Sequence, residues 1–314
     1  MGIKLAPIVL IAFNRPYHTE QTLRALSLND LARDSILYCY IDGARNTKDV
    51  SKQEILLEII QHFRGSFKGI EIVKRQRNLG LAKNIIESVT EVILRHGKVI
   101  VLEDDIVTSR SFLKFMNDGL EFYEREKRVW HIAAHTEFNL TDRKDEIFLW
   151  RGMNCWGWAT WADRWECFEK DAQKLINDFD EIMIYDFDLG GCGTFWSQVL
   201  KNASHEIDTW AIFWYATIFV RKGLCVNPYF SYAKNIGFDG SGVHCGTDKY
   251  REFNQLVNFE GQFIGKLELV EDDFAVDLLK KAYAPKRSSR YFLVKVLDFF
   301  GLKDLVKNLI ARFE

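Results

Sequence analysis

Three consecutive carboxylates, Glu103, Asp104 and Asp105, follow directly on the apolar run Val99-Ile100-Val101-Leu102, and the chain turns apolar again at Ile106-Val107. Three acids cannot be buried together without a counter-charge. The run before them is apolar and mostly β-branched, the pattern of a central strand covered on both faces. Side chains alternate along an extended segment, so Glu103 and Asp105 are expected on one side and Asp104 on the other. Acids at the carboxyl end of a parallel strand lie where open α/β sheets bind ligands. Their chemistry suits a divalent cation that in turn holds a diphosphate. The plainer alternative is that they cap a helix beginning near Ser109 or Ser111.

The elements that must position these acids are legible upstream. Pro7–Phe13 reads as a strand ending in Asn14-Arg15-Pro16, with a helix over 18–28. Ser35–Ile41 is a second strand, ending in Asp42-Gly43. Ile55, Leu56, Ile59, Ile60 and Phe63 give helical spacing over 52–63. A short strand follows at 70–73, and Asn78-Leu79-Gly80-Leu81 opens a helix over 82–96. Strands alternating with helices of this length predict βαβ units, right-handed connections and a mainly parallel sheet. Polar residues then stand at three successive strand ends: Arg15, Asp42 and the acidic triplet. A cation, an acid suited to a base or ribose edge, and a metal cluster on one sheet rim are what a nucleoside-diphosphate ligand needs. The first strand is followed neither by GxGxxG nor by GxxxxGK[ST], which argues against a dinucleotide site and a P-loop.

Beyond the triplet a helix is expected from Ser111 to about Glu126, then a strand over 129–134. Trp150–Trp165 holds five Trp in sixteen residues, readable as a core cluster or as a wall for sugar rings. Gly157, between Trp156 and Trp158, suggests close backbone approach. Residues 178–195 are polar and glycine-bearing and are expected to form a mobile loop. Residues 208–220 read as a buried helix with Asp208 as its cap, and 224–226 as a short strand. The loop Asn235–His244 has three Gly in six residues and ends in a His that could reach the metal or the phosphates, or simply be solvated. Residues 286–314 carry seven Lys or Arg against three acids, with one apolar stripe from Leu302 to Phe313. Such an ending serves membrane-surface attachment, a partner helix, or docking on its own core.

Composition sets outer bounds. The 314 residues are 47% hydrophobic and 27% charged, as expected of a soluble globular chain with a sizeable core. A net charge of −2 argues against a general nucleic-acid binder. The six Cys show no CxxC pair or zinc-like spacing and read as reduced structural thiols. The apolar run from Ile8 to Phe13 is too short for a signal peptide or membrane span, so a cytoplasmic location is expected, peripheral on the inner face of the plasma membrane if the tail binds there. The Asn139 and Asn202 sequons are therefore read as accidental.

Taken together, Ala12-Phe13-Asn14-Arg15, Tyr40-Ile41-Asp42-Gly43, Val99 to Ile106, Cys155-Trp156-Gly157-Trp158 and Asp208-Thr209-Trp210 resemble GT-A glycosyltransferases. The resemblance is to the N-acetylglucosaminyltransferases of complex N-glycan branching and their bacterial capsule and lipopolysaccharide relatives, and it runs over about residues 7–245. It implies an α/β GT-A fold: a mainly parallel sheet flanked by helices, a mixed acceptor-binding half, and the amphipathic tail. Residues 1–128 would bind the nucleotide-sugar and 129–285 the acceptor, with 286–314 as tail. It further implies that Arg15 and Asp42 hold the uracil and ribose of a UDP-sugar and that Glu103 and Asp104 contact donor sugar and ribose. Gly80, Asn235 and His244 join the donor side. Asp105 would be the protein ligand of Mn²⁺ or Mg²⁺, with His244 near the ion and diphosphate. Trp156, Trp158 and Trp210 would face a glycan or lipid-linked acceptor. Asp208 falls where the family's general base lies. Because Thr209 stands where the family often has a second acid, Glu206 competes for that role. The reaction implied is single-displacement, inverting sugar transfer in cell-surface polysaccharide synthesis. A sugar nucleotidyltransferase would show a Gly-rich phosphate loop after the first strand, and a carbohydrate-binding module would leave the acids unexplained.

Overall fold

A computed structural model describes residues 4–143, 146–240, 263, 265–266 and 268–283. His244, Cys245 and the tail 286–314 lie outside the described residues. In chain order the elements are β1 (Ile8–Ala12), α1 (Pro16–Ser27), β2 (Ile36–Ile41), α2 (Thr47–His62), β3 (Gly69–Lys74), α3 (Leu81–His96), β4 (Lys98–Glu103), β5 (Ile106–Thr108), α4 (Phe112–Phe122) and β6 (Val129–Ala133). There follow β7 (Ile147–Trp150), β8 (Trp158–Trp161), α5 (Ala162–Trp165), α6 (Ala172–Asp178), α7 (Glu181–Phe187), α8 (Phe195–Ala203), α9 (Ala211–Val220), β9 (Leu224–Pro228), β10 (Ala233–Asn235) and α10 (Asp273–Tyr283).

Eight strands form one sheet in the order β3-β2-β1-β4-β8-β6-β9-β7. β3, β2, β1 and β4 are parallel neighbours, as the βαβ series predicts. β8 runs antiparallel between β4 and β6, and β7 antiparallel to β9, which makes the second half mixed. Strands from residues 1–128 and from 129–285 thus share one sheet. β1 lies between β2 and β4, so chain order departs from β1 in both directions. That is a topological switch point, and the crevice outside the carboxyl ends of its strands is where open α/β sheets take ligands.

The sheet is covered on both faces because its central strands alternate with no polar side. Ile8, Leu10, Ala12, Ile100 and Leu102 pack with Leu23, Leu26, Leu56, Ile60, Phe112 and Met116. Val9, Ile11, Val99 and Val101 pack on the other face with Ile85, Val89, Val92 and an indole cluster of Trp158, Trp165, Trp210 and Trp214. The Cys residues described, 39, 155, 167, 192 and 225, are free thiols. Among the described residues no helix is long and apolar enough to cross a membrane.

Segment 178–195 departs from the expected mobile loop. Asp180 accepts the Met183 N–H at 2.8 Å and starts α7. Buried Asp188 then accepts the N–H groups of Gly193, Phe195 and Trp196 at 2.6, 2.7 and 3.2 Å and heads α8. One cap makes 181–187 a helix, and Asp188 ties the turns that follow to the head of α8.

Candidate active site at the switch point

The turn after β1 is fixed by Pro16, which opens α1 where no N–H is required. Arg15 stands just before it, its carbonyl accepting from the Thr19 N–H at 3.0 Å and hydroxyl at 2.9 Å. Its guanidinium therefore reaches across the carboxyl ends of β1 and β4. Nη1 lies 2.7 Å from Asp105 Oδ2 and 3.7 Å from Asp104 Oδ1.

One group reaches both acids because β4 ends at Glu103. Asp104 and Asp105 form the turn into β5, so the alternation expected of a continuous strand does not hold there. β5 pairs antiparallel with β10, aligning Asn235 with Ile106, and the Ile236 N–H donates to the Asp105 carbonyl at 2.9 Å. Asn235 Nδ2 thereby comes 3.5 Å from Asp105 Oδ1. Gly237 follows, where a Cβ would fall 2.2 Å from Asp105 Oδ2, so only glycine fits. Asp239 then places Oδ1 3.8 Å from Arg15 Nη2 and Oδ2 3.1 Å from His18 Nε2. The acids do not cap α4: no side chain caps it at Ser111.

Three carboxylates thus lie within 4 Å of one guanidinium, with His18 beside Asp239 and Glu103 at the end of β4 next to Asp104. Burial, then the charges of Asp105 and Asp104, raise the Glu103 carboxyl well above the usual range. Burial and Asp105 push Asp104 up to about 7. Burial works against the Arg15 charge, but Asp104, Asp105 and Asp239 outweigh it and hold its pKa above the ordinary value. Burial, then Arg15, lowers the pKa of His18 against the opposing pull of Asp239 and Asp105. Buried carboxylates in excess of their counter-charge are a donor set that fits a hard divalent cation. Among the described residues no three His, Cys, Asp or Glu side chains form a ready-made cage. Mg²⁺-type sites need none, since one or two carboxylates act together with ligand phosphates.

The other expected site residues are dispersed. Asp42 is bound by its own chain: Oδ1 accepts the N–H groups of Gly43 and Leu79, both at 2.8 Å, and Oδ2 accepts Gly80 N–H and Asn78 Nδ2, both at 3.0 Å. It clamps the turn at the head of α3, where Gly80 takes φ +80°. A Cβ on Gly43 would lie 2.1 Å from the Arg77 carbonyl carbon, which is why the two loops can close. Trp156 stays at the rim of the acidic site, half-buried, 4.4 Å from the His135 ring and 5.6 Å from Phe238. Trp158 and Trp210 do not. They stack on each other at 5.1 Å, 1% and 3% exposed, so the expected acceptor wall is corrected to core at these two positions. Trp158 is drawn inward because it pairs with Val101 of β4 on a fully covered face.

Asp208 lies beside a cavity of about 450 Å³ lined by Lys170, Asn202, His205 and Phe213 among others. It does not cap α9; its carboxylate is ion-paired with Lys170, whose ammonium lies over the Phe213 ring at 5.5 Å. Glu206 lies 3.5 Å from Lys201 and does not line that cavity. The sequence reading missed His18 and Asp239. His18 stands one helical turn after Arg15, and Asp239 is the lone acid of the glycine-rich loop, so spacing offered a signal for both.

No family model matches the chain, and no curated protein does. Solved structures share parts of its fold. A structure of S. aureus TarS 1–349 aligns at 9% identity and TM-score 0.42 over 72% of this chain and 59% of that one. A longer TarS structure aligns over 46% of this chain and 25% of its own, so this chain spans less than two thirds of either. The mannosyltransferase PcManGT of Pyrobaculum calidifontis, solved with GDP-Man and Mn²⁺, aligns at 9% identity and TM-score 0.40 over 71% and 72%. The galactosyltransferase LgtC, solved with donor and acceptor sugar analogs, aligns at 11% identity and TM-score 0.37 over 68% and 70%.

Proposed function

We propose that the chain is a metal-dependent glycosyltransferase that moves a sugar from a nucleoside-diphosphate donor, a UDP-sugar, to a hydroxyl of a glycan or lipid-linked acceptor in cell-surface polysaccharide synthesis. One observation carries the reading: Asp104, Asp105 and Asp239 gather about Arg15 at the switch point between β1 and β4, with Glu103 at the end of β4 beside them. Asp105, with Asp104 beside it, would hold Mn²⁺ or Mg²⁺. When bound, such an ion supplies positive charge where a departing diphosphate gathers negative charge.

The chain's own residues do the rest. Arg15 and Asn235 meet the donor from the rim, Glu103 and Asp104 face its sugar and ribose, and Asp42 holds the Asn78–Gly80 turn against it. His244 would join them from outside the described residues. Trp156 supplies the acceptor with an aromatic edge. Asp208 takes the proton of the acceptor hydroxyl as that oxygen attacks the anomeric carbon and the carbon–phosphate oxygen bond breaks. General-base help of this kind is worth roughly 10²–10⁴-fold, and attack opposite the leaving group inverts the anomeric centre. Asp208 is preferred to Glu206 because it stands just before Trp210 and α9, where the family resemblance puts the general base.

The test is a thermal-shift and hydrolysis screen of nucleotide-sugars with Mn²⁺. One donor class is expected to raise Tm and to be turned over. Asp105→Ala should lose the Mn²⁺-dependent part of UDP binding and all transfer. Turnover at the wild-type rate in that variant would sink the metal assignment.

A further inference from the structure

We infer that Arg15 is a stand-in cation for Asp105, so that the divalent ion and the donor's diphosphate load together and each only weakly without the other. The inference rests on the reading of the site as a nucleoside-diphosphate site. It concerns Arg15 as a positioning residue, apart from any contact with the nucleobase. Both oxygens of Asp105 already have donors: Arg15 Nη1 at 2.7 Å on Oδ2 and Asn235 Nδ2 at 3.5 Å from Oδ1. The Gly237 backbone closes another side of Oδ2, since even a methyl group there would overlap it. A hard cation on Asp105 would put a second positive charge on a carboxylate that already holds a guanidinium only 14% exposed. Like charges on one carboxylate repel, so the ion enters only as Arg15 leaves.

Arg15 can leave if it finds another anion. Its partners here are Asp105 at 2.7 Å, Asp104 at 3.7 Å and Asp239 at 3.8 Å; the last is half exposed. A diphosphate offers a better one, because the planar fork of a guanidinium matches two phosphate oxygens. The diphosphate thus draws Arg15 off Asp105 as it brings its own oxygens to the ion. Coupling of this sort is reciprocal: whatever factor UDP adds to metal affinity, the metal adds to UDP affinity.

The test is Mn²⁺ binding to the full chain, read from the electron paramagnetic resonance of free Mn²⁺ with and without UDP. Wild type should bind Mn²⁺ weakly alone and more tightly with UDP. Arg15→Gln should bind Mn²⁺ alone roughly tenfold more tightly than wild type, and the gain from UDP should shrink. Arg15→Lys, which keeps a cation on Asp105 but lacks the fork, should bind Mn²⁺ alone about as weakly as wild type and gain less from UDP. Arg15→Met serves as a second neutral replacement, and melting curves identify which variants are folded. Folded neutral variants that bind Mn²⁺ no better than wild type overturn the inference while leaving the site intact. If wild type binds neither Mn²⁺ with UDP nor UDP with Mn²⁺, the reading of the site falls and the inference with it.

Discussion

At the scale of single residues, position in the chain and position in the fold assign different work to chemically identical groups. Asp42 and Asp105 both lie just beyond the carboxyl ends of parallel strands, yet Asp42 spends both oxygens on the Gly43 and Asn78–Gly80 backbone and side chain, while Asp105 faces Arg15 and Asn235. Asp208 and Glu206 are both exposed and both paired with lysines, but only Asp208 lines a cavity. If Asp208 is the base, Asp208→Asn should keep donor affinity while kcat falls by roughly 10²–10⁴-fold. Glu206→Gln should change neither. Steady-state kinetics with a fixed donor decide it, and the reverse outcome moves the role to Glu206.

At the scale of elements, the rim depends on how loops are tied to one another. Asn46 starts α2 by accepting the Asp49 N–H at 3.0 Å. The Asp49 carboxylate in turn takes the Arg45 N–H and Nε at 3.1 and 3.0 Å and the Asn14 amide, joining the loop after β2 to the loop after β1. Arg45, then Asn14, hold the Asp49 carboxyl down at about 2 against the cost of burial, below its ordinary 3.8. The folded chain therefore binds this proton less readily than the unfolded chain. Its contribution is fully present above about pH 4 and is lost as pH falls towards 2. Asp49→Asn should cost about 2 kcal/mol at pH 7, the scale of hydrogen bonds to a charged group, and almost nothing near pH 2. Urea unfolding at the two pH values measures this; an equal loss at both would show that the carboxylate charge is not what ties the loops.

At the scale of the whole molecule, the second half of the chain completes the sheet that the first half begins. β8 lies between β4 and β6, so the Trp-rich block reaches the core beside the acidic strand. Trp158→Ala should cost about 3–5 kcal/mol and lower Tm, since it empties a packed indole site. Trp156→Ala, at a half-buried indole, should cost clearly less stability than Trp158→Ala while raising the acceptor KM. Thermal melting and kinetics on the two variants separate core from rim, and equal losses of stability would contradict that division.

The sequence by itself determined the βαβ series, the carboxyl-end positions of Arg15, Asp42 and the acidic triplet, and the apolar faces that cover β1 and β4. Those features are local: a period, a cap, or a polar residue where an apolar run stops. Only the tertiary structure decided which acid meets which cation. β5 and β10 have three residues each, too few to show a period, yet their pairing brings Asn235 and Asp239 onto the site. Likewise Trp156, Trp158 and Trp210 are the same residue type in the sequence, and only packing against β4 separates a rim indole from two core indoles. Burial and long-range pairing depend on sheet order and register, which no local window of residues contains.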